Sequence, residues 1–295
     1  MKGRNITIVM AGIVFLLALV LTLYPVISNL YNQKHQSQIH TVYEEVIQQA
    51  DTRELDRIRE LAEAYNAAIV PGTAGESYSQ AALIAASEDY RSQLDPGGNG
   101  IMCYVEIPVI GVHLPVYHGT GSDSLERGVG HLLGSSLPVG GASTHAVLTG
   151  HSGMASQKLF TDLGLVQKGD VFYLHVLNEV LAYEVDAIHT VLPHDTSLLG
   201  ISQEKDYCTL ITCTPIGINT HRLLVRGHRI PYEPEKEPEK LQTVRENKPE
   251  SNWENQYMLG LCLGILAMMI GIEAYIIVLL IRRRGERRRG RYVKR

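Results

Sequence analysis

Two long apolar runs bracket the chain, and between them the hydrophobic period changes from helical to alternating. Residues 6–30 carry no charged side chain, and 257–281 carry one, Glu273. Each run is long enough to cross a bilayer, which takes about 20 apolar residues. In 31–69, Ile39, Val42 and Val46, then Ile58, Leu61 and Tyr65, recur at helical spacing. That spacing predicts one or two amphipathic helices, broken near Asp51-Thr52. A short helical run over 78–92 leads to Asp95-Pro96-Gly97-Gly98-Asn99-Gly100, a strong loop signal. From 101 onward, short apolar runs alternate with Gly, Pro and Asp turns. They predict strands at 101–108, 112–117, 144–150, 171–177, 181–191, 207–213 and 222–230, and a short helix over Leu159–Leu165. A mainly β domain follows, a closed or nearly closed β-barrel, with a sandwich as the other arrangement. No internal repeat is evident.

Charge changes this picture by giving it an orientation. Lys2 and Arg4 precede the first apolar run, and nine Lys or Arg residues lie between Arg282 and Arg295. The positive-inside tendency places both termini in the cytoplasm and 31–256 outside the cell membrane. The outer segment holds 16 basic and 29 acidic residues, a net charge of −13 hidden within the overall −4. The first run is longer than a usual signal-peptide core and has no persuasive Ala-x-Ala site, so it reads as an uncleaved anchor. The basic tail directly follows an apolar span, which suits anionic lipid headgroups rather than nucleic acid. Glu273 reads as a protonated or snorkelling side chain in an otherwise adequate anchor. The expected organisation is 1–30 for the cytoplasmic start and first anchor, and 31–100 for a helical region with a loop. A β-barrel at 101–232, a Pro/Glu/Lys linker at 233–256, a second membrane helix at 257–281 and a basic tail at 282–295 complete it.

Chemistry concentrates around Cys213. It closes the apolar run Thr-Leu-Ile-Thr-Cys-Thr-Pro at 209–215, a strand that Pro215 ends. Arg222 opens the next apolar run, in Asn-Thr-His-Arg-Leu-Leu-Val-Arg-Gly at 219–227. A neighbouring cation favours the thiolate, the nucleophilic form. Thr-Gly-His-Ser-Gly at 149–153 sets His151 at another strand end, between glycines that open the turn. Cysteine, histidine and arginine at strand ends suggest nucleophilic acyl transfer with a fixed cation for the developing oxyanion. His118, His131, His145 and His221 are other candidates for the base. Arg226 and Arg229 are expected to pair with surface acids. Cys208 and Cys213 are five apart, so on one strand they face opposite sides and do not pair. The extracellular setting permits a Cys103–Cys208 disulfide. There is no C-x-x-C and no zinc-ligand spacing, and no cofactor or metal is expected.

The runs at 149–153, 209–215 and 219–227, with Lys-Leu-Phe-Thr-Asp-Leu at 158–163 and Lys-Gly-Asp-Val-Phe-Tyr-Leu at 168–174, together resemble the sortases. They look most like class C, the pilin-polymerising sortases of Gram-positive bacteria. The resemblance covers about 101–230. It implies an eight-stranded barrel and a cysteine transpeptidase. Cys213 would be the nucleophile, His151 the general acid and base, and Arg222 the oxyanion-stabilising group. The implied substrate is a surface protein with a Leu-Pro-x-Thr-Gly-like sorting signal, and the implied acceptor a lysine amine of a pilin subunit. A cell-wall-anchoring sortase using a peptidoglycan amine is a second reading, and a non-catalytic surface binding module a third. Class C relatives often carry Asp-Pro-aromatic in a lid loop. Asp95 and Pro96 fit that pattern, but Gly97 stands where the aromatic would be, and Ser152 follows the histidine where arginine is common.

Overall fold

The computed structural model describes residues 41–69, 88–154, 157–234 and 252–292, with scattered positions between 12 and 32. The chain divides into two compact units, Asn32–Trp253 and Met1–Tyr31 with Glu254–Arg295.

The first unit is a closed barrel. Its strands are β1 (Ile101–Ile107), β2 (Val112–His118), β3 (Val129–His131), β4 (Thr144–Thr149), β5 (Val171–Val176), β6 (Glu179–Val191), β7 (Asp206–Thr214) and β8 (His221–Ile230). They close in the order β1-β2-β3-β4-β7-β8-β6-β5. Period-two patterning puts Cys103, Val105 and Ile107 of β1, Leu114 and Val116 of β2, Leu174 of β5 and Leu210 of β7 into one buried core. Closure removes every exposed strand edge. Most pairings are antiparallel, but β2–β3 and β4–β7 run parallel. The β4–β7 pairing sends two strands of distant sequence out at the same end of the barrel.

Seven of the eight strands fall where alternation predicts them. The exception is β3, because three residues with Gly130 in the middle leave no period to read. Leu159–Leu165 is not a helix. Leu159 has φ 41°, Gly164 interrupts the run, and only a 3₁₀ turn at Leu163–Leu165 forms.

Helix α1 (Thr52–Ala68) starts at the predicted break, with the Asp51 carboxylate capping Arg53 N–H. A helical run at 41–49 precedes it. Both are tied to the barrel by buried polar contacts. Asn66 donates to Leu137 O at 3.0 Å and accepts from Leu137 N–H at 2.7 Å. The Tyr43 hydroxyl donates to Met102 O and accepts from Leu177 N–H. Helix α2 (Glu88–Ser92) is the part of the predicted 78–92 run within the described residues.

In the other unit, helix α3 (Asn252–Tyr292) contains Leu259–Ile277, long and apolar enough to cross a membrane. Much of the first predicted span lies outside the described residues.

Candidate active site

The outward faces of β4, β7 and β8 form one continuous surface. Outward residues alternate as Val147 and Thr149 on β4, Thr209, Ile211 and Cys213 on β7, and Arg222, Leu224 and Arg226 on β8. Register makes them neighbours: Thr149 opposes Ile211, Ile211 opposes Leu224, and Cys213 opposes Arg222. A cavity of about 260 Å³ lies over this surface, with Cys213, His151 and Arg222 all on its lining. Its floor is a satellite hydrophobic cluster of Val147, Leu199, Ile211 and Leu224, with Leu132 and Val191 packed against it. Leu199 comes from the β6–β7 connection, which forms one wall. The cysteine therefore sits on the outer wall near the strand end. Cys208, of opposite parity, is fully buried inside, and burial pushes its thiol well above the ordinary range. Cys103 is equally buried and shifted the same way, and both remain free thiols rather than a disulfide.

Several contacts hold the His151 turn against β7. Gly150 N–H donates to Ile211 O at 2.9 Å, and the Thr212 hydroxyl donates to Gly150 O at 2.7 Å. The Ser152 hydroxyl donates to the carbonyl of Cys213 at 2.7 Å, linking the histidine turn to the cysteine itself. A side chain at Gly150 would meet the Phe160 ring at 2.7 Å, so only glycine fits. Below, Lys158 pairs with the buried Asp162 at 3.0 Å and donates to Ile110 O at 2.6 Å. Ser152 thus fastens the site.

On the other flank, the Thr214–Pro215 peptide is cis, and Ile218 and Asn219 N–H both donate to Pro215 O. Arg222 Nη1 donates to the carbonyls of Asn219 and His221 at 3.2 and 3.1 Å. Arg222 has no carboxylate within ion-pair distance among the described residues, so its charge faces the cavity uncompensated. Arg226, two strand pairs further on the same face, is spent: it makes a bidentate pair with Asp186 at 3.0 and 2.9 Å and stacks over Tyr207. Arg229 lies over the Tyr183 ring.

The competing histidines are structural. His131 is fully buried between the Tyr90 hydroxyl (2.8 Å) and Ser136 O (2.9 Å). His145 bonds Gly200 O and the Thr209 hydroxyl, fastening the β6–β7 connection. His118 holds the carbonyls of Gln93 (2.7 Å) and Gly100 (3.3 Å). His221 bonds the neighbouring Thr220 hydroxyl. Of the five candidates, only His151 lines the cavity.

Asp95 and Pro96 are not brought to that cavity. The Asp95 carboxylate accepts from the N–H groups of Asn99 and Gly100 at 2.9 and 3.0 Å, so it caps its own loop. The loop leads directly into β1, and neither residue lines the cavity.

Sequence reasoning missed the apolar floor and Ser152. The floor was readable from parity, since Val147, Ile211 and Leu224 share the outward face with the reactive residues. The Ser152 bond has no signal in the sequence.

Residues 105–230 match the sortase domain family. Sortase D of Bacillus subtilis (strain 168) is 33% identical over 129 residues, which are 43% of this chain and 62% of that protein. The chain thus spans less than two thirds of that relative's length. The crystal structure of sortase C from Streptococcus pneumoniae superposes with a TM-score of 0.60 at 45% identity, covering 66% of this chain and 97% of that one. Sortase C1 from Streptococcus agalactiae gives a TM-score of 0.60 at 45% identity, with 65% and 98% covered. With this identity over nearly the whole of both solved domains, and with the fold shared, the chain belongs to the sortase family, in its class C group.

Proposed function

We propose that this chain is a membrane-anchored cysteine transpeptidase that joins pilin subunits. The observation that carries the reading is the Cys213–Arg222 register pair, facing a cavity that His151 also lines. The Cys213 thiolate attacks the Thr carbonyl of a Leu-Pro-x-Thr-Gly-like signal, and the tetrahedral oxyanion is met by the Arg222 guanidinium. His151 donates a proton to the departing glycine amine as the C–N bond breaks, leaving a thioester on Cys213. A lysine amine of a pilin subunit then attacks the thioester, giving up its proton to His151 and releasing the thiolate as the isopeptide bond forms. The apolar floor of Val147, Ile211 and Leu224 suits the leucine of the signal. The similar sortase C of S. pneumoniae has been solved with a view to its pilin substrate specificity, which supports a pilin acceptor here.

The chemistry belongs to the barrel at 101–232. The linker at 233–256 and the spans at 6–27 and 257–281 hold it outside the cell membrane in a two-pass topology, with the basic tail 282–295 on cytoplasmic headgroups. The test is reconstitution with a sorting-signal peptide and two acceptors, a lysine-bearing pilin and a peptidoglycan amine. Transfer to the pilin is expected. Transfer only to the peptidoglycan amine would make the chain a cell-wall-anchoring enzyme, and transfer to neither would remove the transpeptidase reading.

A further inference from the structure

On the barrel wall opposite the thiol, three outward side chains converge. In the closed strand order, β1 lies four strands from β7 in either direction. Glu106 of β1 opposes His113 of β2. Tyr104 of β1 opposes His175 of β5, so Glu106, two residues along, is the diagonal neighbour of His175. The ligand atoms of Glu106, His113 and His175 all lie within 4.8 Å of one another. Glu106 Oε2 and His175 Nε2 are already 2.8 Å apart. The His113 ring stands edge-on to that of His175 at 5.9 Å and tilts beside Tyr104 at 5.3 Å.

We propose that Glu106, His113 and His175 form a binding site for a divalent transition-metal ion of the zinc type. Two imidazoles and one carboxylate select such a cation over calcium or magnesium, which take all-oxygen shells. Bonds of about 2.1 Å in a tetrahedral site place ligand atoms roughly 3.4 Å apart. Strand pairing fixes the three backbones, and the ligand atoms already lie within 4.8 Å of one another, near that spacing. A water would take the remaining position. The ion would tie β5, β1 and β2 together from outside and stabilise the barrel by its binding free energy. It would take no part in chemistry at Cys213, which lies across the barrel. The ligands stand at 106, 113 and 175, brought together by register, so no short sequence spacing reveals them.

The test uses the full-length chain in detergent, carrying Cys213→Ala so that the reactive thiol cannot bind zinc, and stripped with a chelator. Calorimetric titration with zinc should show one ion per chain, and zinc should raise the thermal midpoint, whereas calcium should do neither. His113→Ala, His175→Ala and Glu106→Gln should each weaken zinc binding by about tenfold or more. His189→Ala, on the exposed face of β6, should leave it unchanged. His113 is exposed, so its loss does not threaten the fold. The proposal is overturned if the parent takes up no zinc, or if the His113→Ala and His175→Ala variants bind it as the parent does.

Discussion

Cys213 and Arg222 oppose each other across β7 and β8 and point to the same side of the sheet. Arg222 is therefore placed at the cavity by strand register. Lysine keeps the charge but not the planar fork of donors. Arg222→Lys should slow acylation by about 10²–10³, nearly as much as Arg222→Ala. Stopped-flow acylation with a sorting-signal peptide measures this, and near-normal rates in the lysine variant would reduce Arg222 to a point charge.

Cys208 lies inside the barrel, and its thiol is pushed up by burial. A vinyl sulfone carried on a sorting-signal peptide should label wild type and Cys208→Ala alike, and should fail on Cys213→Ala. Labelling that survives in Cys213→Ala would point to another thiol.

Gly150 leaves no room for a methyl group against the buried Phe160 ring. Gly150→Ala should cost about 1–3 kcal/mol from overpacking. The displaced turn carries His151, so transfer to the amine should fall more than alkylation of Cys213. Thermal unfolding and the two rates measured side by side decide it; a stable variant with full transfer would contradict the contact.

His131 is locked neutral, donating to Ser136 O and accepting from the Tyr90 hydroxyl, and burial pushes it down to about 4. Burial lowers His118 and His145 in the same direction. On unfolding, each imidazole regains its ordinary proton affinity. The stability these groups contribute is complete above about pH 6.5 and is lost as pH falls through that point toward the folded value. For His131 the loss should be about 3 kcal/mol, since one pKa shift of a unit is worth about 1.4 kcal/mol. Asp206, raised by burial, partly offsets this as it takes up its proton. Urea midpoints measured across that window should fall with pH, and His131→Gln should flatten the slope. An unchanged slope would mean that His131 does not titrate on unfolding.

Asp95 caps its own loop and lies off the cavity. Asp95→Ala should destabilise the loop by about 1 kcal/mol while leaving the alkylation rate of Cys213 unchanged. A clear acceleration would mean that this loop covers the thiol after all.

Seven strands, the break before α1 and the placing of Cys213, His151 and Arg222 at strand ends were legible because each rests on a local period or a strand-end residue. β3 was not, since three residues around Gly130 carry no period. The choice among histidines could not be made from spacing, because the bonds that occupy His118, His131 and His145 come from residues 5 to 64 positions away. Asp95-Pro96 matches a lid pattern as a short dipeptide, while the partners of the Asp95 carboxylate lie four and five residues downstream.

The parallel pairing of β4 with β7 decides when the chain becomes chemically competent. Ser152 and Cys213 stand 61 residues apart in sequence, with β5 and β6 in the intervening chain. Such long-range closure comes late in folding. A chain in which β7 has not yet joined β4 thus has no fixed spacing between its thiol and its imidazole, and on the proposed mechanism it cannot cut or join a neighbouring protein. On that mechanism reactivity arrives with the β4–β7 pairing, so the fold itself times it.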